Sequence, residues 1–252
     1  MGIPYYLAMT GAEMAHAEVF PRHSGWMACH FSPYGTGLSN LPRELPPGSL
    51  LIVDDITPPH SHDPVLMAEQ LSLCAETWHC SGLLLDFQRP GCVETAAIAK
   101  HLASALPCPT AVSAAYAGDL DCAVCLPPVP PSQPLEAYLS PWSGRETWLE
   151  LALDGESITL TEQGAATVPL PCPQLSQPGF RDDCLHCHYR IHLTDDRAEF
   201  TLWRTEEDLA ALMEAAENLG VMAAVGLYQE LWNWSRRVLC PQPAANQGTA
   251  PS

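Results

Sequence analysis

Asp86 and Gln88 carry the clearest chemistry in this chain. They close the run Ser81-Gly-Leu-Leu-Leu-Asp-Phe-Gln-Arg-Pro90, where three leucines after a glycine predict a strand buried on both faces. Side chains two apart on a strand point the same way, so the carboxylate and the carboxamide share a face. Together they can hold a polar ligand, but the amide has no proton to give at any useful pH. Hydrolysis asks for at least two facing carboxyl groups, one an acid and the other a base or nucleophile. Glu150 in Thr147-Trp-Leu-Glu-Leu and Glu230 in Tyr228-Gln-Glu lie near the ends of other apolar runs and could join Asp86. An inward Glu150 needs a partner such as Arg145 or a neighbouring tyrosine.

Metal chemistry has thinner support. His60, His62, Asp54 and Asp63 gather in Ile52-Val-Asp-Asp-Ile-Thr-Pro-Pro-His-Ser-His-Asp63, and a His-x-His pair can chelate from an extended loop. Asp63, however, stands before Pro64 as a helix N-cap. Cys122-x-x-Cys125 and Cys184-Leu-His-Cys-His188 have zinc-like spacing, yet residues i and i+3 on a strand face opposite sides and cannot share an ion. The face with Cys184, His186, His188, Arg190 and His192 reads as a solvated hairpin face. No metal and no cofactor is expected.

The elements that must position these groups follow from apolar patterning. Eight apolar runs are evident, at 5–10, 26–31, 49–54, 82–87, 110–116, 122–126, 146–153 and 221–228. Helical patterns intervene: one opens at Asp63-Pro64, one spans 94–106 before Pro107, and one opens at the capping box Thr205-Glu-Glu-Asp208 and closes at Gly220. Alternation of this kind predicts an α/β protein with a parallel sheet, and eight strands predict closure into a single, degraded (β/α)8 TIM barrel. Runs five and six are too close for a full crossover helix, and the first connection is thin, so one or two helices should be missing. Between runs seven and eight, 157–161 and 166–168 predict one hairpin and 185–193 with 198–203 another, a small β-hairpin insertion covering about 154–204. The barrel domain is assigned 1–240. The tail 241–252 has no apolar pattern and is expected to be disordered.

Bulk composition narrows the classes. Eleven Lys and Arg against 29 Asp and Glu give a net charge of −18, and Lys100 is the only lysine. So acidic a surface repels phosphate backbones and anionic lipid, which argues against nucleic-acid and membrane partners. The 11 cysteines are odd in number and scattered through apolar runs. Without a basic, apolar leader or a long apolar span, they predict free thiols in a reducing, cytoplasmic setting.

The Ser81–Pro90 segment resembles the signature strand of the family 18 glycoside hydrolases, the chitinases and spore peptidoglycan hydrolases, whose pattern is D-x-x-D-x-D-x-E. The pattern's aspartates fall on Ser81, Leu84 and Asp86, and its catalytic glutamate falls on Gln88. Phe87 and Pro90 match the aromatic and the proline that often accompany it. The segment from Phe200 through Glu230 is similar to the family's closing unit, with Tyr228 where a floor tryptophan would stand. The resemblance implies a cleft for an N-acetylhexosamine-containing glycan. Asp54, Tyr116, Trp148 and Tyr228 lie near predicted strand ends and are candidates to line it, the three aromatic rings by stacking on sugar faces. It also implies loss of the substrate-assisted mechanism, since the acid is absent. The leading expectation is a carbohydrate-binding pseudoenzyme. The alternatives are a glycosidase using Asp86, Glu150 and Glu230, and a barrel enzyme of another class.

Overall fold

A computed structural model describes residues 2–17, 23–89, 91–170 and 179–238, with side chains of the last helix described as far as Ser235. Pro90, the second half of the proline-rich stretch before Gly179, Cys172, Cys240 and the tail 241–252 lie outside the described residues. In chain order the elements are β1 (Tyr5–Met9), α1 (Gly11–His16), β2 (Ser24–Phe31), β3 (Leu38–Ser39), β4 (Leu50–Asp54), α2 (Pro64–Thr77), β5 (Gly82–Asp86), α3 (Val93–Ala105), β6 (Thr110–Ser113), α4 (Ala114–Ala117), β7 (Ala123–Leu126), α5 (Leu135–Leu139) and β8 (Thr147–Leu151). They continue as β9 (Gly155–Thr161), β10 (Gly164–Leu170), β11 (Phe180–Asp182), β12 (Cys187–Leu193), β13 (Arg197–Trp203), α6 (Glu206–Asn218), β14 (Ala223–Leu227) and α7 (Tyr228–Val238).

Eight strands pair in parallel in the order β1-β14-β8-β7-β6-β5-β4-β2, and β1 also pairs with β2, which closes the barrel. Each strand therefore has one face inside and one face under a helix or loop. In β5, Leu83, Leu84 and Leu85 are all buried, as a strand covered on both sides requires. Leu84 packs inside the barrel with Tyr6, Ile52, Cys125, Trp148 and Val225. Leu83 and Leu85 pack outside on Met67, Leu71 and Leu102 of α2 and α3. On the other flank Leu149, Leu151, Leu212 and Trp234 form a second outer cluster.

Local signals fix the helix starts. Asp63 Oδ1 accepts from the Val65 N–H at 2.9 Å, with Pro64 next in the chain. Thr205 and Asp208 form the reciprocal box that opens α6. The thin crossovers are real: α1 has six residues and α4 four, because their connections have no room for more. The strand predicted to reach Tyr228 ends at Leu227, and Tyr228 begins α7.

The insertion differs from two small hairpins. β9–β10 and β12–β13 are joined by pairing of β9 with β13, and β11 adds an edge, giving a five-stranded antiparallel sheet in the order β10-β9-β13-β12-β11. It lies between β8 and α6. The strand predicted from 185 starts at Cys187, because His186 adopts a left-handed conformation (φ 48°) that belongs to the preceding turn. Its polar face is not simply solvated. His188 Nδ1 lies 2.8 Å from Asp208 Oδ2, on a side chain buried at the start of α6, and Arg190 sits over the Trp203 ring.

Gly82 opens β5 where a Cβ would meet the Pro109 carbonyl oxygen at 2.7 Å. That oxygen accepts the Leu83 N–H, so the backbones cannot part without breaking a bond between strands. We expect Gly82→Ala to destabilise the barrel by about 1–3 kcal/mol, as overpacking does. A lower urea midpoint at unchanged slope is the reading that checks it.

Candidate ligand site at the barrel mouth

Alternation along the strands brings three carboxyl groups to the carboxyl-terminal end of the barrel. Ile52, Leu84 and Trp148 point inward, so Asp54, Asp86 and Glu150, each two residues on, point inward one step nearer the mouth. Asp54 and Asp86 are direct register partners on neighbouring strands. The carboxyl-terminal end is where barrels of this architecture keep their chemistry. Gln88 turns its amide back on Asp86, and Nε2 donates to Oδ1 at 2.5 Å.

The electrostatics follow from crowding like charges in a partly desolvated space. Burial pushes the Asp86 carboxyl above the ordinary aspartate range, and the negative charges of Asp54 and Asp55 add to this, while the Gln88 amide pulls it back. Glu150 is pushed up to about 7 by burial and by the charge of Asp86. Asp54 is raised by burial, with His30 and the Ile56 N–H opposing. Arg145, a possible partner for Glu150, is engaged elsewhere: its guanidinium donates to the carbonyls of Gly118, Leu120 and Cys122 at 2.5, 2.6 and 3.2 Å. Tyr138, whose hydroxyl donates to the Pro127 carbonyl at 2.8 Å, is the tyrosine whose own acidity Glu150 perturbs.

Asp55 is a residue that sequence reasoning missed. It is 2 % exposed, and its two carboxylate oxygens accept the backbone N–H groups of Gln88 and Arg89 at 2.8 and 3.0 Å. Arg89 returns the contact, donating from Nε to the Asp55 carbonyl at 2.6 Å and from Nη2 to the Ile56 carbonyl. The signal was present in Asp54-Asp55. Neighbouring strand residues face opposite sides, so if Asp54 points into the mouth, Asp55 is buried behind it and must find donors.

The other named residues have different placements. Tyr116 points to the loop after β5, with its hydroxyl bonded to the Arg89 carbonyl and its ring edge-on to Phe87. Trp148 is not a platform at the mouth. It is 7 % exposed and stacks inside the barrel on Tyr6, with centroids 6.3 Å apart. Tyr228 is half-buried against Trp232. Glu230 is not brought to Asp86 and Glu150. It accepts the Leu153 N–H and faces Tyr5 and Asp154, at the corner where β8 leaves the barrel. His60 and His62 form a rim turn in which the His60 N–H donates to His62 Nδ1 at 2.8 Å and the His62 ring lies on Phe31. Cys125 points inside the barrel while Cys122 packs outside. Among the described residues no group of three or more His, Cys, Asp or Glu is arranged to hold a metal ion, and no helix is long and apolar enough to cross a membrane.

Comparison with solved structures places this architecture. A chitinase from Chromobacterium violaceum superposes with a TM-score of 0.57 at 12% identity, covering 95% of this chain and 100% of that one. A class V chitinase from Nicotiana tobaccum, carrying a glutamate-to-glutamine mutation and in complex with NAG4, gives 0.57 at 10% identity over 94% and 97%. A chitinase-like agglutinin from Robinia pseudoacacia gives 0.56 at 13% over 88% and 93%. The chain thus has a barrel like that of the family 18 chitinases. At these identities the likeness is one of fold. No protein-family model and no curated protein sequence matches the chain.

The acid pair makes stability depend on pH. A glutamate whose folded pKa lies near 7 and whose unfolded pKa is about 4.3 binds more protons folded than unfolded between these values. Stability therefore falls as pH rises through that window, by roughly 4 kcal/mol at most for Glu150, and raised Asp86 adds in the same direction. We expect Glu150→Gln to flatten the fall and to be more stable than the natural protein at pH 8. Denaturant titrations at pH 5 and pH 8 measure this.

Proposed function

We propose that the barrel mouth binds a carbohydrate of the N-acetylhexosamine class and does not cleave it by the substrate-assisted route of the family 18 enzymes. The observation that carries this reading is the Gln88–Asp86 contact. A carboxamide stands where the resemblance puts the acid, and it can hydrogen-bond a sugar but cannot protonate a leaving oxygen. The glutamine-bearing chitinase in complex with NAG4 and the agglutinin on the same fold support it. The family pattern's first two aspartates are also replaced, by Ser81 and Leu84. The charge of −18 speaks against nucleic acid and anionic membrane as partners. The nine described cysteines are unpaired, which supports a reducing compartment such as the cytoplasm.

One observation favours a second reading. Glu150, held near pH 7 opposite Asp86, has the protonation behaviour of a general acid. In that reading it protonates the leaving oxygen, and the Asp86 carboxylate either deprotonates the attacking water or attacks the anomeric carbon.

Calorimetric titration with triacetylchitotriose tests the first reading, and Asp86→Ala should weaken uptake at the mouth about tenfold or more. Fluorogenic chito-oligosaccharides should stay intact with the natural protein. They should stay intact with Gln88→Glu too, since a restored acid would lack the tuned charges beside it, and general acid catalysis itself is worth about 10²–10⁴-fold. Turnover by the natural protein that declines above about pH 7 and disappears in Glu150→Gln would replace the binding reading with the hydrolytic one.

A further inference from the structure

We propose that the flank of the barrel carries a second saccharide-binding site, floored by Trp26 and separate from the mouth. For the sugar used to probe it the proposal rests on the reading above, but the location does not.

The cavity lies beside a helix too short to cover the strand that follows it. At about 1.5 Å per helical residue and 3.3 Å per strand residue, the six residues of α1 span roughly 9 Å against roughly 26 Å for the eight residues of β2. Met27 points into the barrel and Trp26 to the outside. Among the described residues, the outer face of β2 is left open between α1 and the segment from Asn40 to Pro47. The resulting cleft holds about 850 Å³, within the roughly 300–1,000 Å³ usual for small-molecule sites.

The floor is built. The Trp26 indole N–H donates to the Asn40 carbonyl at 2.9 Å. Asn40 presents that oxygen from a left-handed conformation (φ 56°), which asparagine tolerates better than most residues. The far edge of the indole lies against Gly11, where a Cβ would meet it at 3.1 Å. The ring is thus pinned by one edge and seated on a backbone without a side chain. Met14 and Leu41 extend the apolar floor, and Arg43 and Glu44 stand at the rim, both exposed.

A flat apolar ring with a guanidinium and a carboxylate at its margin suits a ligand with an apolar face and a hydroxylated edge. A pyranose is such a ligand: its axial C–H groups lie on the indole, its hydroxyls donate to Glu44, and its oxygens accept from Arg43. The rim has one charge of each sign, so a phosphate or an anionic lipid gains little there. With two sites, a single chain would be bivalent, and linked sugars could be held by both or bridged between chains.

Titration of the full chain with triacetylchitotriose, read by calorimetry, decides the matter. Uptake at two sites is expected. Trp26→Ala should leave one, and Asp86→Ala should remove the other while sparing the flank. The double variant Arg43→Ala, Glu44→Ala changes exposed side chains only, so it serves if Trp26→Ala folds poorly, and it should weaken the flank site about tenfold through lost hydrogen bonds. The flank site is overturned if the natural protein saturates at one site that Asp86→Ala abolishes, if both flank variants titrate like the natural protein, or if nothing binds. Uptake abolished by Trp26→Ala but untouched by Asp86→Ala would instead retire the mouth reading and leave the flank site standing.

Discussion

Closure of the parallel sheet is the constraint from which the rest of the molecule takes its arrangement. Because β1 pairs with β14 on one side and β2 on the other, no barrel strand has a free edge, and alternate residues of each strand must fill a space of fixed width. Apolar side chains fill the lower levels, with Trp148 stacked on Tyr6 among leucine, isoleucine and valine. The next level is set by the same alternation and is acidic. Asp54, Asp86 and Glu150 are therefore neighbours for a topological reason, although the sequence separates them by as many as 96 positions.

Burial raises the proton affinity of all three carboxyl groups, and the charge of Asp54 adds to the rise at Asp86 and the charge of Asp86 to the rise at Glu150. The protein relieves the load by two means. Glu150 keeps its proton to near pH 7, so the layer does not carry its full formal charge. Gln88 supplies a neutral donor to Asp86, where a glutamate would bring a further charge. Close carboxylates otherwise cost free energy in a low-dielectric space. The carboxamide is thus compatible with this layer on electrostatic grounds alone.

Much of the fold was legible in the sequence, since closure and alternation are written in apolar runs. The leucines before Asp86, the Asp63-Pro64 start and the Thr205–Asp208 box each point to one local structure, and each is found. The thin first and fifth connections were legible as chain length. Tertiary pairing was not. Nothing local tells β9 to pair with β13, so two hairpins could not be read as one sheet. The site was read unevenly for the same reason. The inward direction of Asp86 follows from period two, but the direction of Trp148 depends on where its strand enters the barrel. Glu230 looked like a cleft residue only while Tyr228 was assigned to a strand. With Tyr228 starting α7, the acid turns to the Leu153 backbone.

Two buried charged groups hold the rim around the acidic layer. On one side Asp55 fastens the loop after β5 by accepting two of its backbone N–H groups, and the Tyr116 hydroxyl and Ser113 hydroxyl tie the same loop to β6 and α4 through the carbonyls of Arg89 and Phe87. On the other side Arg204, 4 % exposed at the end of β13, donates to the carbonyls of Val129, Pro130 and Leu185. It thereby joins the segment after β7 to the turn that precedes β12, so the inserted sheet is fixed to the barrel by a charge that Asp154 helps to stabilise. A buried charge is costly unless hydrogen bonds compensate it. Asp55 uses both carboxylate oxygens on backbone N–H groups and Arg204 both terminal nitrogens on backbone carbonyls, while the Arg204 Nε is left without a partner among the described residues. Rim loops held in this way are ordered before any ligand arrives, so a ligand entering the mouth has less conformational entropy to remove. A hydrolase and a lectin gain equally from that order. The order of the rim therefore does not choose between them, and the choice rests on the groups around Asp86: the Gln88 amide, which has no acidic proton to transfer, and Glu150, which has one up to about pH 7.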